Sequence, residues 1–201
     1  MTEYIVSRYN NNMDWMAEYT PSMILYDRGD EPTPGSIIVP NIGTDIADKL
    51  HFIITNYFNR LPDIGVYCKG NLFKYISKKE FDNVKNNTVF TPLLKQDHKV
   101  YKDDKGKDVC FYKDGIYWEI NNMWYLGAHP CKHDPKEVMK FCGIDKMEYV
   151  PFAPGSNYIL PKEHILKRPR EFYMKLYEYV NWSVYPAEAQ IIERSLYTIW
   201  K

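Results

Sequence analysis

Ile37-Ile38-Val39-Pro40-Asn41-Ile42-Gly43-Thr44-Asp45-Ile46-Ala47-Asp48-Lys49-Leu50-His51-Phe52-Ile53-Ile54-Thr55-Asn56-Tyr57-Phe58-Asn59-Arg60-Leu61-Pro62-Asp63-Ile64-Gly65-Val66-Tyr67-Cys68 is the stretch whose reading decides the fold. Ile46, Leu50, Ile53, Ile54, Tyr57 and Leu61 recur at helical spacing, which predicts a helix over residues 44–61. Thr44 is placed to cap its start, and Pro62 stops it. The apolar runs at 37–39 and 64–68 read as short buried strands. Strand, helix, strand is a βαβ unit, and such units build parallel sheets.

Working outward, Tyr4-Ile5-Val6-Ser7 reads as a strand halted by Arg8-Tyr9-Asn10-Asn11-Asn12. A brief helix over 14–19 and a strand over 22–26 follow, the latter ended by Asp27-Arg28-Gly29-Asp30. Downstream the pattern predicts a short helix over 78–86, a charged arm over 99–108 and a hairpin of 109–112 with 116–120 around Asp114-Gly115. A helix over 135–141, extended segments at 149–152 and 157–160, and helices over 169–182 and 186–200 complete the chain. The expectation is one Rossmann-related α/β domain over residues 1–201. Its central sheet is mainly parallel and flanked by helices, with a small β-hairpin insertion around 97–146.

Composition narrows the function classes. The 201 residues are 45% hydrophobic and 16% aromatic, enough for a packed core. Lys plus Arg equals Asp plus Glu at 26 each, so no global field attracts nucleic acid. No window approaches the ~20 apolar residues of a membrane span, and residues 1–8 lack the apolar run of a signal peptide. Four cysteines in this length read as reduced thiols, which points to the cytoplasm.

Several constellations carry chemistry. Arg8 and Asn10, Asp27 and Arg28, then Lys69-Gly70-Asn71 stand at the carboxyl ends of predicted strands, where open α/β sheets hold ligands. Asn41, Gly43 and Asp45 surround the start of the long helix, whose free N–H groups favour an anion. Asp45 works against that, and an ordinary capped helix is the plainer alternative. Tyr117-Trp118-Glu119-Ile120-Asn121-Asn122-Met123-Trp124-Tyr125 interleaves rings with amides and a carboxylate, as a sugar site does, or as a core strand with polar alternates does. His129, Cys131, His133 and Cys142 are zinc-ligand types at a spacing that matches no standard finger, so no metal site is assigned. No Gly-x-Ser-x-Gly elbow and no phosphate-binding glycine loop occurs.

The last helix holds the sharpest pointer. At about 100° per residue, Ala189, Ile192, Leu196, Ile199 and Trp200 gather on one arc, and Glu193 falls inside it at roughly 40°. A carboxylate on a core face needs a partner or a function.

Taken in order, Ile5-Val6-Ser7-Arg8-Tyr9-Asn10 with Trp15, Pro40-Asn41-Ile42-Gly43, Val66-Tyr67-Cys68-Lys69-Gly70-Asn71, Phe152-Ala153-Pro154-Gly155-Ser156-Asn157-Tyr158-Ile159, Arg168-Pro169-Arg170-Glu171-Phe172-Tyr173 and Ile192-Glu193-Arg194-Ser195-Leu196 make a series. That series resembles a family of small GT-A-like glycosyltransferase-related proteins of fungi, bacteria and large DNA viruses. The resemblance implies a GT-A-type fold, transfer of a sugar from a nucleotide-sugar donor to a glycan-type hydroxyl acceptor, and the host cytoplasm for a viral member. By that analogy Arg8, Asn10, Asn41 and Asp45 lie near the nucleotide and Glu193 near the reacting sugars. Under this reading Glu193 and Arg194 are the expected catalytic pair. The strand-end and helix-start residues Asp27, Gly43, Lys69, Gly70 and Asn71 join the donor site, and Glu119, Asn121, Trp124 and Asn157 are the expected acceptor contacts. Two departures stand out. No Asp-x-Asp step for Mn²⁺ or Mg²⁺ is present, and Lys69 replaces the family's usual Gln. The alternatives are a non-catalytic carbohydrate- or nucleotide-binding module, and a structural Glu193 paired with Arg168 or Arg170.

Overall fold

The computed structural model describes residues 2–19, 22–121, 123–144 and 149–201. In chain order the elements are β1 (Thr2–Arg8), β2 (Met23–Asp27), β3 (Ile37–Ile38), α1 (Thr44–Asn56), β4 (Ile64–Lys69), α2 (Lys78–Val84) and β5 (Thr91–Pro92). Then come β6 (Cys110–Lys113), β7 (Ile116–Ile120), α3 (Pro135–Phe141), β8 (Tyr149–Pro151), β9 (Tyr158–Pro161), α4 (Lys162–Ile165), α5 (Arg170–Val180) and α6 (Ala187–Trp200). Short 3-10 turns at Asp14–Glu18, Leu72–Lys74 and Trp124–Gly127 fill the connections.

The βαβ reading holds, with a shorter helix that ends at Asn56. Gly43, at φ 74°, is the N-cap of α1, and Thr44 itself sits at φ 56° with its Oγ1 3.3 Å from the Ile46 N–H. The main sheet has the order β3-β2-β1-β4-β9-β5. Strands β3, β2, β1 and β4 run parallel, but β9 is antiparallel to β4, and β5 is antiparallel to β9. The sheet is therefore mixed rather than mainly parallel. The chain leaves β1 toward β2 and β3 on one side, then crosses through α1 to β4 on the other. That reversal puts a crevice at the carboxyl ends of β1 and β4.

Strand periodicity sorts the core into two layers. Ile5, Tyr26, Tyr67, Tyr158 and Leu160 face α1, α3, α5 and α6. Tyr4, Val6, Leu25, Val66, Cys68 and Ile159 face Met16, Leu72, Ile76 and Phe81 on the other side. The hairpin exists as read, but its partner was not foreseen. Strand β8 joins β7 to make a second, three-stranded sheet, β6-β7-β8, so the insertion extends past residue 146. None of the described helices is long and apolar enough to cross a membrane.

Helix α6 is buried nearly all round, against β8, α3, α5 and α1. Its fully buried carboxylate is Glu188, which accepts the Lys132 and His133 N–H groups at 2.9 and 2.8 Å in the first turn. Glu193 is only half-buried, on the side of α6 that borders the cleft together with Gln190.

Candidate functional site

A cleft of two lobes opens at the carboxyl ends of β1 and β4. The first lobe, about 270 Å³, is lined by Ser7, Arg8, Tyr9, Asn11, Arg28, Asn41, Thr44, Asp45, Lys69, Asn71 and Tyr185. The second, about 590 Å³, is lined by His98, Lys99, Tyr101, Tyr117, Glu119, Trp124, Phe152, Pro154, Gly155 and Arg194. Lys69, Tyr75, Gln190 and Glu193 line both, so these four side chains form the junction.

Charge is concentrated there. Lys69 ends β4, and its Nζ lies 3.2 Å from Asp45 Oδ1 and 5.7 Å from the Tyr75 ring centre. The other Asp45 oxygen takes short contacts from Lys49, one turn along α1, and from the Ser156 hydroxyl. Lys49 is fully buried and reaches Ser156 Oγ at 2.9 Å. Burial works to raise the Asp45 carboxyl, but Lys49 and then Lys69 outweigh it and hold the acid well below the ordinary carboxylate range. Burial likewise works to lower the Lys69 ammonium, and Asp45 followed by Glu193 reverse it, so Lys69 stays charged. Lys69 is a cation by construction.

Three consecutive residues hold the junction from above. The Gly155 N–H donates to Glu193 Oε1 at 2.8 Å, Ser156 bonds Asp45, and Asn157 Oδ1 accepts the Lys69 backbone N–H at 2.8 Å. Gly155 sits at φ 88°, and a Cβ there would meet the Tyr75 ring at 2.6 Å, so only glycine lets this loop close on the cleft. Ser156 follows at φ 56°.

The candidates from sequence divide clearly. Arg8, Asn41, Asp45, Lys69, Asn71 and Glu193 line the first lobe, and Glu119, Trp124, Arg194 and Glu193 line the second. Asp27 does not face the cleft. It is fully buried, bonded to both Arg8 and the Gly29 and Thr33 N–H groups, and those partners hold its carboxyl low against the opposing effect of burial. Asn10 turns away to Asp30, bonding its backbone N–H at 3.0 Å and its carboxylate at 2.9 Å. Gly43 packs under α5, its N–H donating to Ser183 O at 2.7 Å. Gly70 is tied to Trp15, whose indole N–H reaches its carbonyl at 2.7 Å. Asn121 is internal, accepting from the Tyr125 hydroxyl at 2.9 Å. Asn157 is buried and acts through the Lys69 backbone. Asn122 lies outside the described residues.

Arg194 is held rather than offered. Its Nη2 bonds Glu119 Oε1 at 2.7 Å, and its guanidinium lies over Phe152 at 4.8 Å and Tyr125 at 5.3 Å. Glu119 and Arg194 thus make a buried pair in the floor of the second lobe. Arg168 and Arg170 do not reach Glu193: Arg168 covers Phe172, and Arg170 donates to Ile54 O at 2.9 Å. The third cation of the first lobe, Arg28, forks onto Asp48 at 2.8 and 2.5 Å.

Lys49, Ser156, Tyr75 and Gln190 were not singled out in the sequence. The Asp45–Lys49 spacing of four on a predicted helix was the available signal for the first. His129, Cys131, His133 and Cys142 are dispersed: His129 packs on Tyr185, His133 on Tyr179, and Cys131 bonds the His133 carbonyl. Among the described residues no three metal-ligating side chains converge. No family model, no curated protein and no solved structure matches this chain.

Proposed function

We propose that this protein is a glycosyltransferase of GT-A-like, Rossmann-related architecture, moving a sugar from a nucleotide donor to a hydroxyl acceptor. The observation that carries the reading is the junction: one carboxylate, Glu193, and one held ammonium, Lys69, stand where a polar lobe meets an aromatic lobe. The first lobe, over the strand ends, suits a nucleotide diphosphate, with the Lys69 ammonium beside the leaving group. The second suits an acceptor sugar, whose C–H face stacks on exposed Trp124 and Tyr101.

In the step proposed, Glu193 takes the acceptor hydroxyl proton as that oxygen attacks the anomeric carbon. The bond from that carbon to the diphosphate oxygen breaks, and the electron pair leaves on a diphosphate stabilised by Lys69. Without an Asp-x-Asp step, Asp45 and Glu193 are the carboxylates that a Mn²⁺ or Mg²⁺ travelling with the donor would meet.

A second reading has its own support. Arg8, Arg28 and Lys69 are each paired with an aspartate, so the lobe balances its own charges, as suits a module that binds a neutral sugar without transfer. Calorimetry with a panel of UDP- and GDP-sugars, with and without Mn²⁺, alongside a donor-hydrolysis assay, tests the two. Heat with hydrolysis supports transfer, and heat without turnover supports the binding module. A panel that gives neither sinks both.

A further inference from the structure

A third cavity, which shares the Tyr117 and Phe152 walls with the second lobe of the strand-end cleft, lies where the small sheet meets the main body. Its volume is about 320 Å³, and Leu94, Ile116, Tyr117, Phe152 and Tyr197 wall it. Tyr117, Phe152 and Tyr197 are buried and form its depth, while Lys95 and exposed Gln96 stand at its mouth. The rim is fixed rather than loose. The Lys95 N–H donates to Tyr75 O at 2.8 Å, the Tyr112 hydroxyl donates to Lys95 O at 3.0 Å, and the Gln96 N–H donates to Glu80 at 2.9 Å. Among the described residues the Lys95 ammonium makes one ion pair, a long 3.7 Å contact to an 88% exposed Asp97, with the Glu80 carboxylate further off in its field, which leaves room for another anion.

We propose that this cavity binds a small carboxylate with an unbranched or aryl apolar body, its tail among the rings and its head at Lys95. An apolar cavity of about 150 Å³ already takes up benzene, and at about 30 Å³ per water-sized group this one holds roughly ten heavy atoms. Apolar walls with one convergent charge at the mouth are the usual makeup of a small-molecule pocket. The site borders the second lobe through Tyr117 and Phe152 but does not depend on the proposed transfer reaction, and no nucleotide sugar enters its test.

The test is calorimetry and thermal shift on the full chain with butyrate, hexanoate, octanoate and dodecanoate. Affinity rises roughly tenfold from hexanoate to octanoate, the gain expected for two buried methylenes, and levels off at dodecanoate once the space is full. Lys95→Met weakens octanoate about fivefold, as loss of a partly exposed ion pair does. Leu94→Trp, which fills the cavity from β5's side, abolishes binding, and Ile116→Phe fills it from the hairpin should the first variant not fold. Octanoate binding no tighter than butyrate, or binding unchanged in every folded filling variant, overturns the site. Loss of binding on filling with no effect of Lys95→Met overturns the carboxylate assignment.

Discussion

Lys69 Nζ stands 3.2 Å from Asp45 Oδ1, which joins the end of β4 to the first turn of α1 across the crevice. The pair is not isolated, because Lys49 holds the other oxygen of the same carboxylate from inside the core. One aspartate with two ammonium partners therefore fixes the charge of the cleft before any ligand arrives.

That arrangement has a pH signature with a definite sign. The Asp45 acid is depressed below its ordinary 3.8 in the folded chain. Its contribution to stability is thus complete above that value and drains as pH falls through the lower, folded-state value. Asp45→Asn lowers the denaturation midpoint at pH 7, and its deficit relative to wild type stays constant between about pH 5 and 8. The deficit shrinks only below pH 3.8. Urea titrations across pH 2 to 8 check this, and a deficit that closes near neutrality would contradict it.

Glu193 separates chemistry from architecture. Its Oε1 needs only to accept from the Gly155 N–H, which the amide oxygen of Gln also does. Glu193→Gln is expected to keep the melting temperature and donor affinity close to wild type while turnover falls by about 10²–10⁴, the usual range for a lost general base. Lys69→Met is expected to cost about 10²–10³ in turnover through the leaving group. Steady-state kinetics with calorimetric donor binding on the same preparations decides it, and a Gln variant with unimpaired turnover removes Glu193 from the mechanism.

Among the described residues Arg28 and Asp48 form the most enclosed ion pair, with side chains 4% and 2% exposed. Removing one partner strands a buried charge, so Asp48→Leu is expected to lose about 3–5 kcal/mol and, for a chain of this length, roughly 10 °C in Tm. The double variant Arg28→Met/Asp48→Leu is expected to recover much of that loss. Differential scanning calorimetry of the three proteins tests it, and additive losses would argue against a coupled pair.

The legible part of the fold is the part with a period. Helix α1 and its flanking strands announce themselves through apolar residues at helical spacing between short buried runs. Tyr158-Ile159-Leu160-Pro161 reads equally well in either direction, so its antiparallel pairing with β4 carries no sequence signal. Neither does the two-residue β5. At the candidate site, Asp45 and Lys69 are legible as cleft-lining residues because strand ends and helix starts are places of convergence. Asp27 was misjudged because Asp-x-Gly also describes a carboxylate turning back on its own loop, which is what the Gly29 and Thr33 N–H bonds show. Glu193, a carboxylate on a core face by its sequence spacing, stands instead at the edge of the cleft. Helix α6 is buried on nearly every side, and periodicity cannot tell a core face from a face that borders a cleft.

The run Gly155, Ser156, Asn157 links the small sheet to the main one while touching Glu193, Asp45 and the Lys69 backbone in turn. Strand β8 lies just before it and β9 just after. It therefore acts as a tie-rod: a displacement of the three-stranded sheet reaches the carboxylate, the aspartate and the lysine together. The hairpin unit is on this account no removable ornament. Sequence change within it would be felt at the junction of the cleft, even where no altered side chain comes near a ligand.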